Sequence, residues 1–160
     1  MIRHALAILA AAAALHAPAS AEEGTMSALD RWRADPSTVF EAAEIDLDDF
    51  VWIARPIVIF ADSPANPAFV QQIELILDRQ EELVDRDVLL VTDTDPSDPS
   101  DVRRKLRPRG FSITLIGKDG GVKLRKPFPW DVRELTRSID KMPMRQQEMR
   151  GGRGDGDGSG

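Results

Sequence analysis

Six consecutive residues, Pro56 to Ala61 (PIVIFA), constrain the fold more than any other stretch of this chain. A strand with one face in water alternates apolar and polar side chains. This one does not alternate, so it needs apolar cover on both faces. The following loop leads to Pro67, which suits the first turn of a helix. Phe69, Ile73, Ile76, Leu77 and Leu83 then recur at three- to four-residue spacing, an amphipathic stripe. A second apolar run, Asp87 to Thr92 (DVLLVT), comes next. The pattern predicts two parallel strands joined by a crossover helix.

The rest of the chain extends that unit in both directions. Thr25 to Ala34 reads as a short helix capped by Thr25 or Ser27, and Pro36 follows it. In the acidic stretch EAAEIDLDDFVWIA, Ile45, Leu47, Phe50 and Trp52 are suited to covering a core edge. The acidic loop DTDPSDPSD runs into a short basic helix, VRRKL. FSITLIG and GVKLRK flank Lys118-Asp119-Gly120, a hairpin signal. A last helix begins near Pro129-Trp130-Asp131 and uses Val132, Leu135 and Ile139. The order β-α-β-α-β-β-α defines an α/β chain with a central mixed sheet. It fits a thioredoxin-like sandwich, and another small α/β sandwich of similar element order is the alternative.

Met1 to Ala21 has the layout of a secretory signal: Arg3 and His4, an apolar run from Ala5 to Leu15, and Ala19-Ser20-Ala21 as a cleavage site. The run is too short for a membrane span, which takes about 20 residues. The expected organisation is a signal peptide at 1–21, an acidic helical lead-in at 22–47, the main domain at 48–150, and a glycine-rich tail without structure at 151–160. A periplasmic or secreted location follows, with no transmembrane anchor. The sequence contains no cysteine, and its two histidines, His4 and His16, lie in the signal. After cleavage no Ser-His-Asp triad, Cys-His dyad, thiol pair or His/Cys zinc site can be built. Charge is segregated as well: 20 acidic and 5 basic residues lie between Glu22 and Asp101, against 7 acidic and 15 basic from Val102 onward. Such asymmetry can steer a partner or orient self-association, or the halves can simply neutralise each other.

Two segments carry a resemblance. GFSITLIGKDGGVK resembles the part of thioredoxins that enters the third strand and turns at a Lys-Asn/Asp-Gly hairpin. On that alignment the two redox cysteines correspond to Ala65 and Ala68, and the cis-proline to Ser112. LIGKDGGVKLR and IDKMPMRQQEMR, with RPIVIFADS, resemble a thioredoxin-like domain family of exported bacterial proteins. That family, whose role is uncharacterised, also occurs at the C-termini of vertebrate sushi-repeat secreted proteins. The resemblance covers about Asp48 to Arg150. It implies a thioredoxin-like fold and a relationship to peroxiredoxins, whose peroxidatic cysteine this chain lacks.

Asp62 and Ser63 fall at the carboxyl end of the first apolar strand, the usual ligand edge of α/β folds. A serine nucleophile would need Lys, Asp or Glu as base, whereas a serine in an ST-turn needs nothing further. With Ala65, Asn66, Pro67 and Ser112, they outline a surface expected to bind an extended peptide or protein segment. Arg103, Arg104, Lys105, Arg107 and Arg109 form a candidate anion patch, the alternative being a solvated helix face. Asp93, Asp95, Asp98 and Asp101 could gather around calcium, but the spacing lacks the EF-hand pattern and its glycine, so no metal site is expected. Lys118, Lys123, Arg125 and Lys126 line the hairpin. Met142, Met144 and Met149 serve either as an adaptable surface or to dock the last helix. Arg153-Gly154-Asp155 is read as a coincidental match to the integrin tripeptide.

The expected function is a non-catalytic binding or adaptor domain of the cell envelope, with an unidentified protein or peptide as partner. No cofactor and no nucleic acid are expected. The alternatives are a structural protein held to envelope polymers by charge, and an enzyme built on carboxylates, lysine or a divalent cation.

Overall fold

The computed structural model describes residues 26–154, so the expected signal segment and the end of the tail lie outside the described residues. The Ser27 hydroxyl accepts from the Asp30 N–H and opens helix α1 (Ala28–Ala34). Strand β1 (Val39–Glu41) and two 3-10 turns, Ala42–Glu44 and Leu47–Phe50, lead to β2 (Arg55–Phe60). Then come α2 (Pro67–Asp78), α3 (Gln80–Val84), β3 (Val88–Asp93) and α4 (Asp101–Leu106). The chain continues through β4 (Ser112–Ile116), β5 (Val122–Lys126), α5 (Val132–Asp140) and α6 (Pro143–Gly154).

The strands form one five-stranded sheet in the order β1-β3-β2-β4-β5. β3 pairs parallel with both β1 and β2, while β4 runs antiparallel to β2 and to β5. This is the α/β mixed sheet expected from the sequence, with one strand more. Every residue of β2 and β3 is buried, which is why neither run alternates. Val58, Phe60, Leu89 and Val91 face Trp32, Phe50, Val102 and Leu106. On the other face Ile57, Ile59 and Leu90 meet Ile76, Leu83, Leu135 and Ile139. Each fully buried side chain of this kind contributes about 1.5–3 kcal/mol. At the hairpin the Gly120 N–H donates to the Gly117 carbonyl at 2.9 Å. Gly120 has φ 77°, a conformation that explains the glycine.

Four details differ from the sequence expectation. β1 is only three residues long, with Phe40 alone buried, so it leaves no periodic signal. The helical stripe is divided between two helices, with Leu77 exposed on α2 and Leu83 buried on α3. Trp52 does not cover the core: its side chain is 65% exposed, its φ is 67°, and its backbone N–H donates to the Lys118 carbonyl at 2.6 Å. Position 52 is fixed by its backbone, and the indole is turned outward. The expected tail begins as helix, since α6 continues to Gly154.

Candidate functional site at the carboxyl ends of the strands

β2 ends at Phe60, which is in register with Ser112 at the start of β4. The loop that follows β2 therefore lies beside the segment that enters β4. Asp62, Ser63 and Ala65 are exposed on it. Asn66 closes the loop, its side-chain oxygen accepting from the N–H groups of Ala68 at 2.9 Å and Phe69 at 3.3 Å. Pro67 occupies the first turn of α2. Asn66 and Pro67 thus hold the rim, and Asp62, Ser63 and Ala65 present it. Gly110 lies close by, since a Cβ there would come 3.9 Å from Asp62 Oδ2. Ser112 is half-buried, and its buried hydroxyl has no hydrogen-bond partner.

β5 delivers two aromatic residues to the same end. Lys126 is in register with Ile113, and its ammonium lies 4.6 Å from the Trp130 ring centroid and 6.0 Å from that of Phe128. Phe128 is 52% exposed. Trp130 is tied to α2 by both polar ends of the buried Gln72 side chain, at 3.1 and 2.6 Å. The sequence reading placed Lys126 on the hairpin and Trp130 at a helix start but gave Phe128 and Trp130 no part in a site. Yet Pro127-Phe128-Pro129-Trp130 was a visible signal: two aromatic rings held by two prolines.

The expected anion patch does not assemble. Val102, Arg103 and Leu106 are the buried residues of α4, and Arg103 is only 9% exposed. Its Nε donates to Asp93 Oδ1 at 2.8 Å, and its Nη2 donates to the carbonyls of Ala61 at 3.0 Å and Asp93 at 2.9 Å. The Ser100 hydroxyl donates to the other Asp93 oxygen at 2.7 Å and accepts from the Arg103 N–H. The guanidinium also lies 5.3 Å from the Phe60 ring centroid. The physical reason is the carboxylate of Asp93, 5% exposed at the end of β3, which requires a counter-charge. Arg104 pairs with Asp101 and Lys105 with Asp48, while Arg107 and Arg109 stay exposed. In the acidic loop Asp93 and Asp101 pair with arginines and Asp95 accepts from Ser97. Among the described residues no three acidic groups converge to hold a metal ion.

The opposite end of the sheet carries a second ionic assembly. Arg55, 1% exposed at the start of β2, donates through Nη1 to the Arg86 carbonyl at 2.9 Å and through Nη2 to Glu148 at 2.8 Å. Lys118 lies 2.8 Å from both Asp87 and Glu148. Arg145 reaches Glu148 at 3.2 Å, and Arg86 grips Asp140 with two hydrogen bonds of 2.9 and 2.8 Å. Burial pushes the Glu148 carboxyl up, but hydrogen bonds from Arg55, Lys118 and Arg145 outweigh it and hold the group at about 2. Hydrogen bonds from Arg86 lower Asp140 in the same direction. Arg55 Nε is buried with no acceptor. An orphan donor of that kind costs about 1–3 kcal/mol.

Sheet order, crossover and closing hairpin define a thioredoxin-like fold. Solved structures bear this out. The reduced 2-Cys peroxiredoxin of Plasmodium vivax superposes with a TM-score of 0.52 at 14% identity, over 64% of this chain and 85% of that one. A chloroplastic thioredoxin z gives 0.51 at 21% identity, over 66% and 96%. No curated protein matches the chain in sequence. Residues 46–148 match the family described as Domain of unknown function (DUF4174), and the chain belongs to it. Both unusual segments, LIGKDGGVK and DKMPMRQQE, lie inside that span, and the structure brings them together around Arg55 and Glu148.

Proposed function

We propose that the protein is a non-catalytic thioredoxin-like binding domain of the cell envelope. It would recognise an extended protein or peptide segment at the carboxyl ends of its strands. One observation carries this reading. The end of the sheet that thioredoxins use for thiol chemistry has no thiol, yet keeps a rigid, exposed, partly apolar rim. Asn66 and Pro67 fix that rim, which lowers the ordering cost of binding. Ala65 supplies a small floor, and exposed Phe128 is the kind of aromatic that anchors interfaces. Export by way of residues 1–21 would place the domain in the periplasm or outside the cell.

The test is photocrosslinking from position 62 in the producing cell. A discrete adduct is expected, lost in Ala65→Arg and weakened in Phe128→Ser, with the melting temperature nearly unchanged. An undiminished adduct from folded Ala65→Arg protein would move the binding surface elsewhere.

A further inference from the structure

The turn between β4 and β5 and the start of α6 border an open pocket of about 240 Å3, lined by Arg55, Lys118, Lys123, Met142 and Met144 among others. That is smaller than the roughly 300–1,000 Å3 usual for drug-sized ligands. We propose that this pocket binds a small monocarboxylate carrying an apolar group. It lies at the opposite end of the sheet from the surface proposed above, so either can fail alone.

Three features of the site select such a ligand. The first is a surplus of donors. Arg55 Nε has no acceptor, Lys118 uses two of its three N–H groups on Asp87 and Glu148, and Lys123 is engaged by Asp119 alone. The acceptor Asp119 is occupied by Lys123 and by the Gly121 N–H at 3.0 Å. An ionised carboxylate accepts only, which is what these donors lack.

The second feature is charge. Four cations, Arg55, Arg86, Lys118 and Arg145, share three carboxylates, Asp87, Asp140 and Glu148. Asp85 also acts on Arg86, and Lys123 and Asp119 cancel each other, so this end of the sheet is close to neutral. A monoanion upsets that balance less than a phosphate dianion does.

The third feature is the wall. Met142, Pro143 and Met144 present flexible, polarisable apolar surface that adapts to an aliphatic group. Gly117 lines the pocket without a side chain of its own: a Cβ there would lie 2.5 Å from Lys123 Cε and press on the lysine that faces the ligand.

Free short-chain acids and the C-terminus of a polypeptide both offer this chemistry. The experiment uses the whole protein with 13C-methyl methionine and follows the Met142 and Met144 signals. The probes are hexanoate, hexanamide and an acetylated tripeptide ending in a free leucine. Saturable shifts with hexanoate, absent with hexanamide, are expected, weakened about tenfold or more in folded Lys123→Gln protein. Shifts with the tripeptide but not hexanoate would identify the source as a polypeptide end. Equal shifts with hexanoate and hexanamide, unaltered affinity in Lys123→Gln, or no response to either acid would each overturn the proposal.

Discussion

Among the described residues two arginines are buried, one at each end of the sheet, and their surroundings differ in kind. Arg103 answers a carboxylate ten residues before it, takes two backbone carbonyls as well, and covers the end of β3. Arg55 reaches a glutamate 93 residues away, shares it with Lys118 and Arg145, and keeps one donor idle beside an open pocket. In the first arrangement one guanidinium matches one buried carboxylate and spends Nε and Nη2 on the end of β3. In the second several cations share their carboxylates around a buried donor that has no acceptor. Burial of a charge therefore does not by itself separate a structural lock from a recognition site. The balance of donors against acceptors does.

The contrast can be broken by removing each guanidinium in turn. Arg103→Met leaves Asp93 buried without its counter-charge, and a loss of about 3–5 kcal/mol in urea unfolding is expected. Adding Asp93→Leu should recover much of it, because no uncompensated charge then remains. Next in size is a pH effect confined to the other end. The Glu148 carboxyl is lowered in the folded state, so its contribution is complete above the unfolded value of about 4.3 and drains away as pH falls towards about 2. Allowing for solvent screening, this amounts to something on the order of 2 kcal/mol. Glu148→Gln should flatten the acid limb of a stability–pH curve, and an unchanged limb would assign the acid sensitivity to other carboxylates.

Arg55→Met is expected to cost less than the corresponding change at Arg103, about 1–2 kcal/mol by the same measurement. Glu148 keeps two other cations, and the idle Nε disappears. Equal losses for the two variants would erase the distinction drawn here. The smallest effect belongs to the rim: Asn66→Ala removes the cap of α2 and should lower stability by about 1 kcal/mol in thermal melts.

What could be read in the sequence followed how local each cause is. β2 and β3 announced themselves because burial on both faces fills Pro56–Phe60 and Val88–Val91 with apolar residues, and the hairpin did so because Gly120 must take a positive φ. Val132, Leu135 and Ile139 were assigned inward correctly from spacing alone. Trp52 was misplaced because aromatic character argues for burial, whereas a positive φ decided by the neighbouring Lys118 carbonyl turns it to solvent. Arg103 was read as part of an exposed basic cluster, an anion patch or else a solvated helix face, although it is buried with Val102 and Leu106 on the inward side of α4. Its requirement came from Asp93, which looked like one more residue of an acidic loop. The ionic assembly around Arg55 had no local pattern to betray it. Its members come from five separate stretches of chain, and only the odd composition of the segments around Lys118 and Met144 marked them as unusual.

The bond between Arg55 and Glu148 also bears on when this chain can finish folding. A ring closed across 93 residues forms late, because the entropy of bringing such distant positions together is lost before the contact returns anything. Until α6 has been synthesised, the first residue of the central strand lacks its hydrogen-bonded carboxylate Glu148 and has only Asp87, at 4.0 Å, as an acidic neighbour. The ionic assembly at that end of the sheet is therefore completed by the last helix, after the strands it closes over.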